Sequence, residues 1–292
     1  MRFFCFKLRI NKVRYPMTQS YAKPSHIENW IKQGKGQGIG ENYKPWFTAR
    51  QVSSMGRTHN VTGIKTGREH LLLSDLEWYY FYLLEWSNVI QGFREQYPLL
   101  PIEETIEIAD QLGVDHPIEP RKKELKVITT DFVIDKDGIP HAVVNIKPSN
   151  KITVREVEKM EIERLYWEKR QVEWSLVTEK DIPTTYAMNI RYVHKAHHLS
   201  LHHISSKQVT KARLLMEPLL IKKSDKLTDI TDFVDDTLGF SPGNSLVIVR
   251  HLITTKKWAI NMNVKIDPNR PLELRSINEK SLGNQGGIRH VD

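Results

Sequence analysis

The sequence is nearly free of cysteine. Cys5 is the one cysteine in 292 residues, so an intrachain disulfide is excluded and a reducing compartment such as the cytoplasm is expected. No apolar run reaches transmembrane length, which argues against a membrane-spanning role. The opening MRFFCFKLRINKVRYP is broken up by charge and lacks the apolar core of a secretion signal. Acid is missing from residues 1–27, which hold six Lys or Arg. GKGQGIG, with Gly34, Gly36, Gly38 and Gly40, lacks the G-x-G-x-x-G spacing of a dinucleotide site. It also lacks the closing Gly-Lys-Ser/Thr of a P-loop. A linker loop is expected there, with close approach to phosphate as the alternative.

What is present is globular in kind: 39% hydrophobic, 27% charged, and long enough for one large or two ordinary domains. The net charge of +8 is uneven. Residues 28–181 carry 21 basic and 25 acidic side chains; residues 182–292 carry 16 and 10. A polyanion such as DNA would meet the two ends first. Three segments follow: a basic N-terminal arm (1–24), a central domain (25–181) and a C-terminal domain (182–292).

The central stretch is Thr129 to Pro148, TTDFVIDKDGIPHAVVNIKP. Two apolar, β-branched runs flank Asp137-Gly138, the signature of a hairpin. Alternation along a strand puts Asp131, Val133 and Asp135 on one face of the first strand. Val143, Asn145 and Lys147 share a face of the second. A carboxylate, a carboxamide and an ammonium can therefore converge. This is the pattern of metal-dependent nucleases with a PD…(D/E)xK core. Carboxylates there hold Mg²⁺ and a lysine serves the water or the developing charge. Thr130 stands where Pro would be, and Asn145 where a carboxylate would be. On these residues alone, a solvated hairpin face competes.

The surroundings read as follows. Ser25–Lys32 is a short helix capped by Ser25. Leu71–Glu85 is a helix with a Ser74-Asp75-Leu76-Glu77 capping box, which by itself explains Glu77. Val89–Pro98 is a strand and Ile102–Leu112 a helix. Thr153–Arg170 is an amphipathic helix with Val154, Val157, Leu165 and Tyr166 facing inward and Lys159–Glu163 as a surface pair. Trp174–Thr178 is a strand. The order predicts an α/β fold with a mixed sheet. Beyond Pro183 come five histidines between residues 194 and 203. His198 and His202 have a zinc-compatible spacing, but a surface cluster that charges near pH 6 is the competing reading. Helices follow over Lys207–Ile221, Leu227–Leu238 and Asn244–Lys256, then a strand over Trp258–Ile266 and a loose tail over 270–292. Helix, turn, helix, strand is a winged-helix order, in which DNA readout competes with protein docking.

Six blocks in order, GKGQGIGENYKPWFT, SMGRTHNVTGIKTGREHLLLSDLE, FREQYPLLP, TTDFVID, IKP and EKMEIERLYW, resemble the TnsA family. These are the endonuclease subunits of heteromeric cut-and-paste transposons, and the resemblance covers about Ser25 to Ile182. It implies a restriction-endonuclease-like α/β domain with flanking helices, plus a C-terminal, mostly α winged-helix-like domain. It implies Glu77, Asp131 and Lys147 as catalytic residues. It further implies a Mg²⁺ site (Mn²⁺ as substitute) using Glu77, Asp131, Asn145 and the Ile146 carbonyl, with Glu163 in support. The family often has Gln where this chain has Asn145. The implied activity is cleavage at the 5′ ends of a transposon in the bacterial cytoplasm, with a TnsB-type transposase cutting the 3′ ends and a TnsC-type ATPase contacting the C-terminal domain. Two other readings remain open: a free-standing restriction-like nuclease, and a non-catalytic assembly subunit.

Overall fold

The computed structural model describes residues 24, 26–48, 57–119, 124–278 and 288–290. The expected basic arm, apart from Pro24, and the expected Ser25 cap lie outside the described residues. The chain divides into two compact units, Met1–Ile182 and Pro183–Asp292.

The first unit runs α1 (Ile27–Lys32), β1 (His59–Thr62), β2 (Glu69–Leu72), α2 (Asp75–Trp86), β3 (Gly92–Pro98), α3 (Ile102–Leu112), β4 (Ile118–Glu119), β5 (Glu124–Leu125), β6 (Thr129–Lys136), β7 (Ile139–Ile146), α4 (Val154–Glu168) and β8 (Glu173–Val177). Its main sheet has the order β3-β6-β7-β8. The first three strands are antiparallel, and β8 runs parallel to β7. The expected mixed α/β sheet is present. Asp137 and Gly138 both take positive φ, 51° and 78°, so the hairpin closes with a two-residue turn whose twist matches the strands.

Both faces of the β6–β7 hairpin are covered. Val133 and Val143 pack with Leu99, Ile108, Ile162 and Trp167 of the α3–α4 side. Phe132 packs on the other side against Tyr80 of α2 and Phe93. A strand buried on both faces leaves little room for polar side chains except at its ends, where the candidate site lies. Asp135, on the same predicted face as Asp131, is instead bound by Arg94, with Nε–Oδ2 2.9 Å and Nη2–Oδ1 2.5 Å, beyond a register shift in β6–β7.

Helix α4 departs from the expected inward face. Val154 is 79% exposed. Met160, Ile162, Glu163, Tyr166 and Trp167 are buried. Capped by Thr153, α4 spends its first turn at the mouth of the cavity described below, and only later turns cover the sheet. Lys159 bonds Glu156 rather than Glu163, which overturns the surface-pair reading.

The glycine loop is packed rather than a linker. A Cβ on Gly36 would sit 2.4 Å from Pro98 Cγ, and one on Gly38 2.3 Å from the Asn42 carbonyl oxygen. The chain beyond it is fastened to β3: Tyr43 donates its hydroxyl to the Glu95 carbonyl (3.0 Å) and Trp46 its N–H to the Gln96 carbonyl (3.3 Å).

A buried ion cluster ties the β1–β2 ribbon to β3. Arg68 forks onto Glu95 at 2.7 and 2.5 Å, and His70 Nδ1 meets the same carboxylate at 2.7 Å. Burial alone would raise the Glu95 carboxyl, but His70 and Arg68 outweigh it and hold it at about 2.

The second unit runs α5 (Thr184–His194), α6 (Ser206–Ile221), α7 (Leu227–Leu238), α8 (Asn244–Thr254), β9 (Trp258–Ile260), β10 (Leu274–Asn278) and β11 (Ile288–His290). Asp235 accepts from the N–H groups of Gly243 and Ser245 (2.7 and 2.8 Å), fixing the α7–α8 turn. The strands form one antiparallel sheet, β11-β10-β9. The expected strand from Trp258 ends at Ile260, and the expected loose tail supplies the other two strands. Among the described residues no helix is long and apolar enough to cross a membrane, and no three His, Cys, Asp or Glu side chains form a ready metal cage.

Removing one partner of a buried ion cluster strands the others. Glu95→Gln is expected to cost ~3–5 kcal/mol in denaturant unfolding. The Glu95 carboxyl lies below its ordinary 4.5, so its stabilisation is present above that pH and is lost as pH falls from 4.5 towards about 2. The variant should therefore show a flatter acid limb than the parent; an equally steep limb would contradict the assignment.

Candidate active site

One cavity of about 720 Å³ opens over the ends of β3, β6 and β7 and is lined by Glu77, Gln96, Asp131, Asn145, Ile146, Lys147, Glu156 and Glu163, among others. All six residues singled out from the sequence face it.

Glu77 arrives from the first turn of α2. Ser74 Oγ accepts the Glu77 N–H (3.2 Å) and donates to Glu77 Oε1 (2.9 Å). Oε2 accepts the Leu73 N–H at 2.9 Å and a longer contact from Gln96 Nε2 at 3.4 Å. The cap and the cavity carboxylate are thus one side chain in one conformation. Oε1, with one donor, retains a lone pair for a further partner.

Asp131 sits on β6 directly opposite the end of β7, and its Oδ2 accepts the Ile146 N–H at 2.7 Å. Burial lifts both Glu77 and Asp131 above the ordinary carboxylate range, and the charge on Asp131 adds to the rise at Glu77. The Leu73 N–H and Ser74 oppose this at Glu77; the Ile146 N–H and Lys147 oppose it at Asp131.

Behind them runs a chain of hydrogen bonds. Trp167 Nε1 donates to Thr130 Oγ1 (2.8 Å), Thr130 donates to Glu163 Oε1 (2.7 Å), and Asn145 Nδ2 donates to Glu163 Oε2 (2.7 Å). Burial raises Glu163 to about 7, against the pull of the Thr130 hydrogen bond. Because the amide nitrogen of Asn145 faces Glu163, its Oδ1 faces the other way. That oxygen is buried and has no hydrogen-bond partner among the described residues. Such an atom is costly unless something binds it.

Lys147, next to Ile146, does not touch Asp131. Its Nζ lies 2.5 Å from Glu156 Oε2, and Lys159 Nζ lies 2.5 Å from Glu156 Oε1. Burial would raise Glu156, but the two lysines hold it at about 2.

The donor set fits a hard divalent cation. Two carboxylates of like charge share the cavity with an unpartnered amide oxygen, and all are oxygen donors, as Mg²⁺ and Mn²⁺ prefer. Glu156 is taken up by Lys147 and Lys159, and Glu163 by Thr130 and Asn145, so Glu77 and Asp131 are the carboxylates left to a cation, which would keep several waters.

Comparisons with known proteins identify the family. A family model described as "TnsA-like endonuclease N terminal" matches residues 87–179, and one described as "TnsA endonuclease C terminal" matches residues 181–262. "Transposon Tn7 transposition protein TnsA" of Escherichia coli is 35% identical over 241 residues, covering 82% of this chain and 85% of that protein. The chain belongs to the TnsA endonuclease family. The family match reaches residue 262, well past the Ser25–Ile182 stretch that holds the six blocks. Asp131, Asn145, Lys147 and Glu163 lie inside the first match, and Glu77 precedes it.

Three cavity features of this TnsA-family chain escape a reading of the sequence. Gln96 holds φ at +50° within β3 and so turns its side chain towards Glu77. Thr130, in the place of a proline, is fully buried and carries the Trp167–Glu163 link. Glu156 occupies Lys147. Gln96 had a signal in its place in the FREQYP block, and Thr130 in standing where the nuclease pattern has proline; Glu156 had none.

The raised carboxyls give a proton-linked prediction. Groups with folded values above their ordinary ones bind protons more tightly in the native state. The metal-free fold therefore loses stability as pH rises from about 4.5 through about 7. A cation binds best once those protons leave. Mg²⁺ is expected to raise the melting temperature at pH 8 and hardly at pH 5.5, and the rise should shrink in Asn145→Ala. Equal stabilisation at both pH values would contradict this arrangement.

Proposed function

We propose that this chain is a Mg²⁺-dependent endonuclease that hydrolyses one phosphodiester at each 5′ end of a transposon. The observation that carries the reading is the convergence of Glu77, Asp131, the unpartnered Asn145 Oδ1 and Lys147 on one cavity of a TnsA-family chain.

Glu77 and Asp131 would hold the cation, with Asn145 Oδ1 and the Ile146 carbonyl as neutral donors. Bound there, Mg²⁺ supplies Lewis-acid chemistry, making water more acidic and offsetting charge on the scissile phosphate. The Ile146 N–H keeps Asp131 turned into the cavity, and the Ser74 and Leu73 contacts do the same for Glu77. Glu163 fixes the Asn145 carboxamide so that its oxygen, not its nitrogen, faces the donors. The Lys147 ammonium orients the attacking water or stabilises the pentavalent phosphorus. Its pairing with Glu156 keeps it beside the cavity, and a phosphate entering the site would compete for it.

The TnsA relative is named for transposition, and we extend that role to this chain. A TnsB-type transposase would cut and join the 3′ ends and place the DNA, and a TnsC-type ATPase would engage the second unit. We read that unit as winged-helix-like. The support is the order α7, fixed turn, α8 and a three-stranded sheet beginning with β9.

Asp131→Ala is expected to abolish 5′-end cleavage, a loss of at least about 10³-fold, while co-purification with the transposase persists. Normal cutting by the variant would remove Asp131 from the site. Asn145→Asp adds a charge to the donor set and should keep activity while shifting the preference between Mg²⁺ and Mn²⁺. An inactive, unstable Asn145→Asp protein would instead mark Asn145 as purely structural.

A further inference from the structure

Residues 34–46 and the end of β3 lock together around one strained residue. Gln96 is 2% exposed and holds φ at +50° inside a strand. That conformation is unfavourable for a side chain that is neither Gly nor Asn, and it persists where the surroundings enforce it. Here they do. Along a regular edge strand, successive carbonyls alternate between the ladder and the outside. β3 is an edge strand, yet the carbonyls of Glu95 and Gln96 both accept from residues 43–46, the first from the Tyr43 hydroxyl at 3.0 Å and the second from the Trp46 N–H at 3.3 Å. Tyr43 is itself fixed: it is buried, and the guanidinium groups of Arg68 and Arg94 lie 5.0 and 5.8 Å from its ring centre. The glycine loop ahead of it is closed by the Gly36 N–H on the Lys44 carbonyl (2.7 Å) and the Lys44 N–H on the Gln37 carbonyl (3.1 Å). Gly36 lies so close to Pro98 that a Cβ would overlap it.

The enforced turn has a chemical result. Glu95 pairs with Phe132 and Tyr97 with Thr130, so Gln96 stands across the ladder from Asp131. Its Nε2 reaches Glu77 Oε2 at 3.4 Å, and all three side chains line the nuclease cavity. The Leu73 N–H bonds the same Oε2 at 2.9 Å. Two donors therefore occupy Oε2, and Oε1, with Ser74 alone, is the oxygen left to a cation. We infer that Gln96 is a positioning residue for the endonuclease reaction: its carboxamide ties down Glu77 Oε2 so that Oε1 is the oxygen offered to the cation, and residues 34–46 are the clamp that keeps Gln96 turned. Donors behind a ligating carboxylate fix its orientation and so set cation affinity. The inference rests on the reading of this cavity as a cation site given above. It gives the glycine loop, which matches no nucleotide-binding spacing, a part in the same site.

The test is calorimetric titration of the metal-free full chain with MnCl₂ at pH 8, comparing wild type, Gln96→Gly and Gln96→Ala, with melting temperatures measured in EDTA. Glycine is at ease at positive φ. Gln96→Gly should therefore melt at or above the wild-type temperature and yet bind Mn²⁺ about tenfold more weakly. Gln96→Ala keeps the strain and loses the amide, so it should bind Mn²⁺ as weakly as Gln96→Gly and melt below it. Wild-type Mn²⁺ affinity in Gln96→Gly would overturn the inference and leave the nuclease reading in place. A wild type that binds no Mn²⁺ would overturn both. Gln96→Gly melting well below wild type in EDTA would make Gln96 a packing residue and overturn its role as a strained positioning group.

Discussion

The constraint on which the first unit depends is like-charge burial. Glu77, Asp131 and Glu163 share one cavity, and each would be more stable in water. The fold answers with donors rather than with many cations. Leu73 and Ile146 give backbone N–H groups, and Ser74, Thr130 and Asn145 give side-chain ones. Each donor comes from the end of a strand or the start of a helix, where backbone groups are not consumed by the regular ladder. The sheet order β3-β6-β7-β8 is what brings those ends together, and helices on both of its faces exclude water behind them. What remains uncompensated, two carboxylates and one amide oxygen, is the donor set proposed above for a cation.

Hydrogen bonds rather than charge orient Asn145. Its amide nitrogen is drawn back by Glu163, which leaves the side-chain oxygen without a partner among the described residues. Thr130, the other departure from the nuclease pattern, is the link that anchors Glu163 from behind through Trp167. The two departures are therefore parts of one network, and neither reads as decay. The opposite solution appears at Glu95, whose two carboxylate oxygens are bonded by Arg68 and His70.

Much of this was legible in the chain itself. The hairpin around Asp137-Gly138, α3 over Ile102–Leu112 and α7 over Leu227–Leu238 follow from local alternation and capping, and the structure has them. Glu77 was readable as part of a helix cap, and by resemblance as a site acid; the structure has it bonded at the helix start and lining the cavity. What stayed hidden depends on distant partners. Glu95 is an ordinary strand residue until β2 brings Arg68 and His70 to it. Gln96 is distinguished by a positive φ that no propensity announces. Val154 fits the apolar stripe of α4, yet that turn overhangs the cavity. The strands β10 and β11 are short; β10 pairs along the edge of β9, and β11 along β10.

The most direct test of the account is strand-specific cleavage of a transposon-end duplex by wild type and Lys147→Ala, with a TnsB-type transposase, a TnsC-type ATPase, target DNA and Mg²⁺ supplied. The account predicts 5′-end cuts by wild type that require both the transposase and Mg²⁺. The variant should lose them while 3′-end cutting by the partner continues. Undiminished 5′ cutting by Lys147→Ala, or 5′ cutting by neither protein beside normal 3′ cutting, would contradict it.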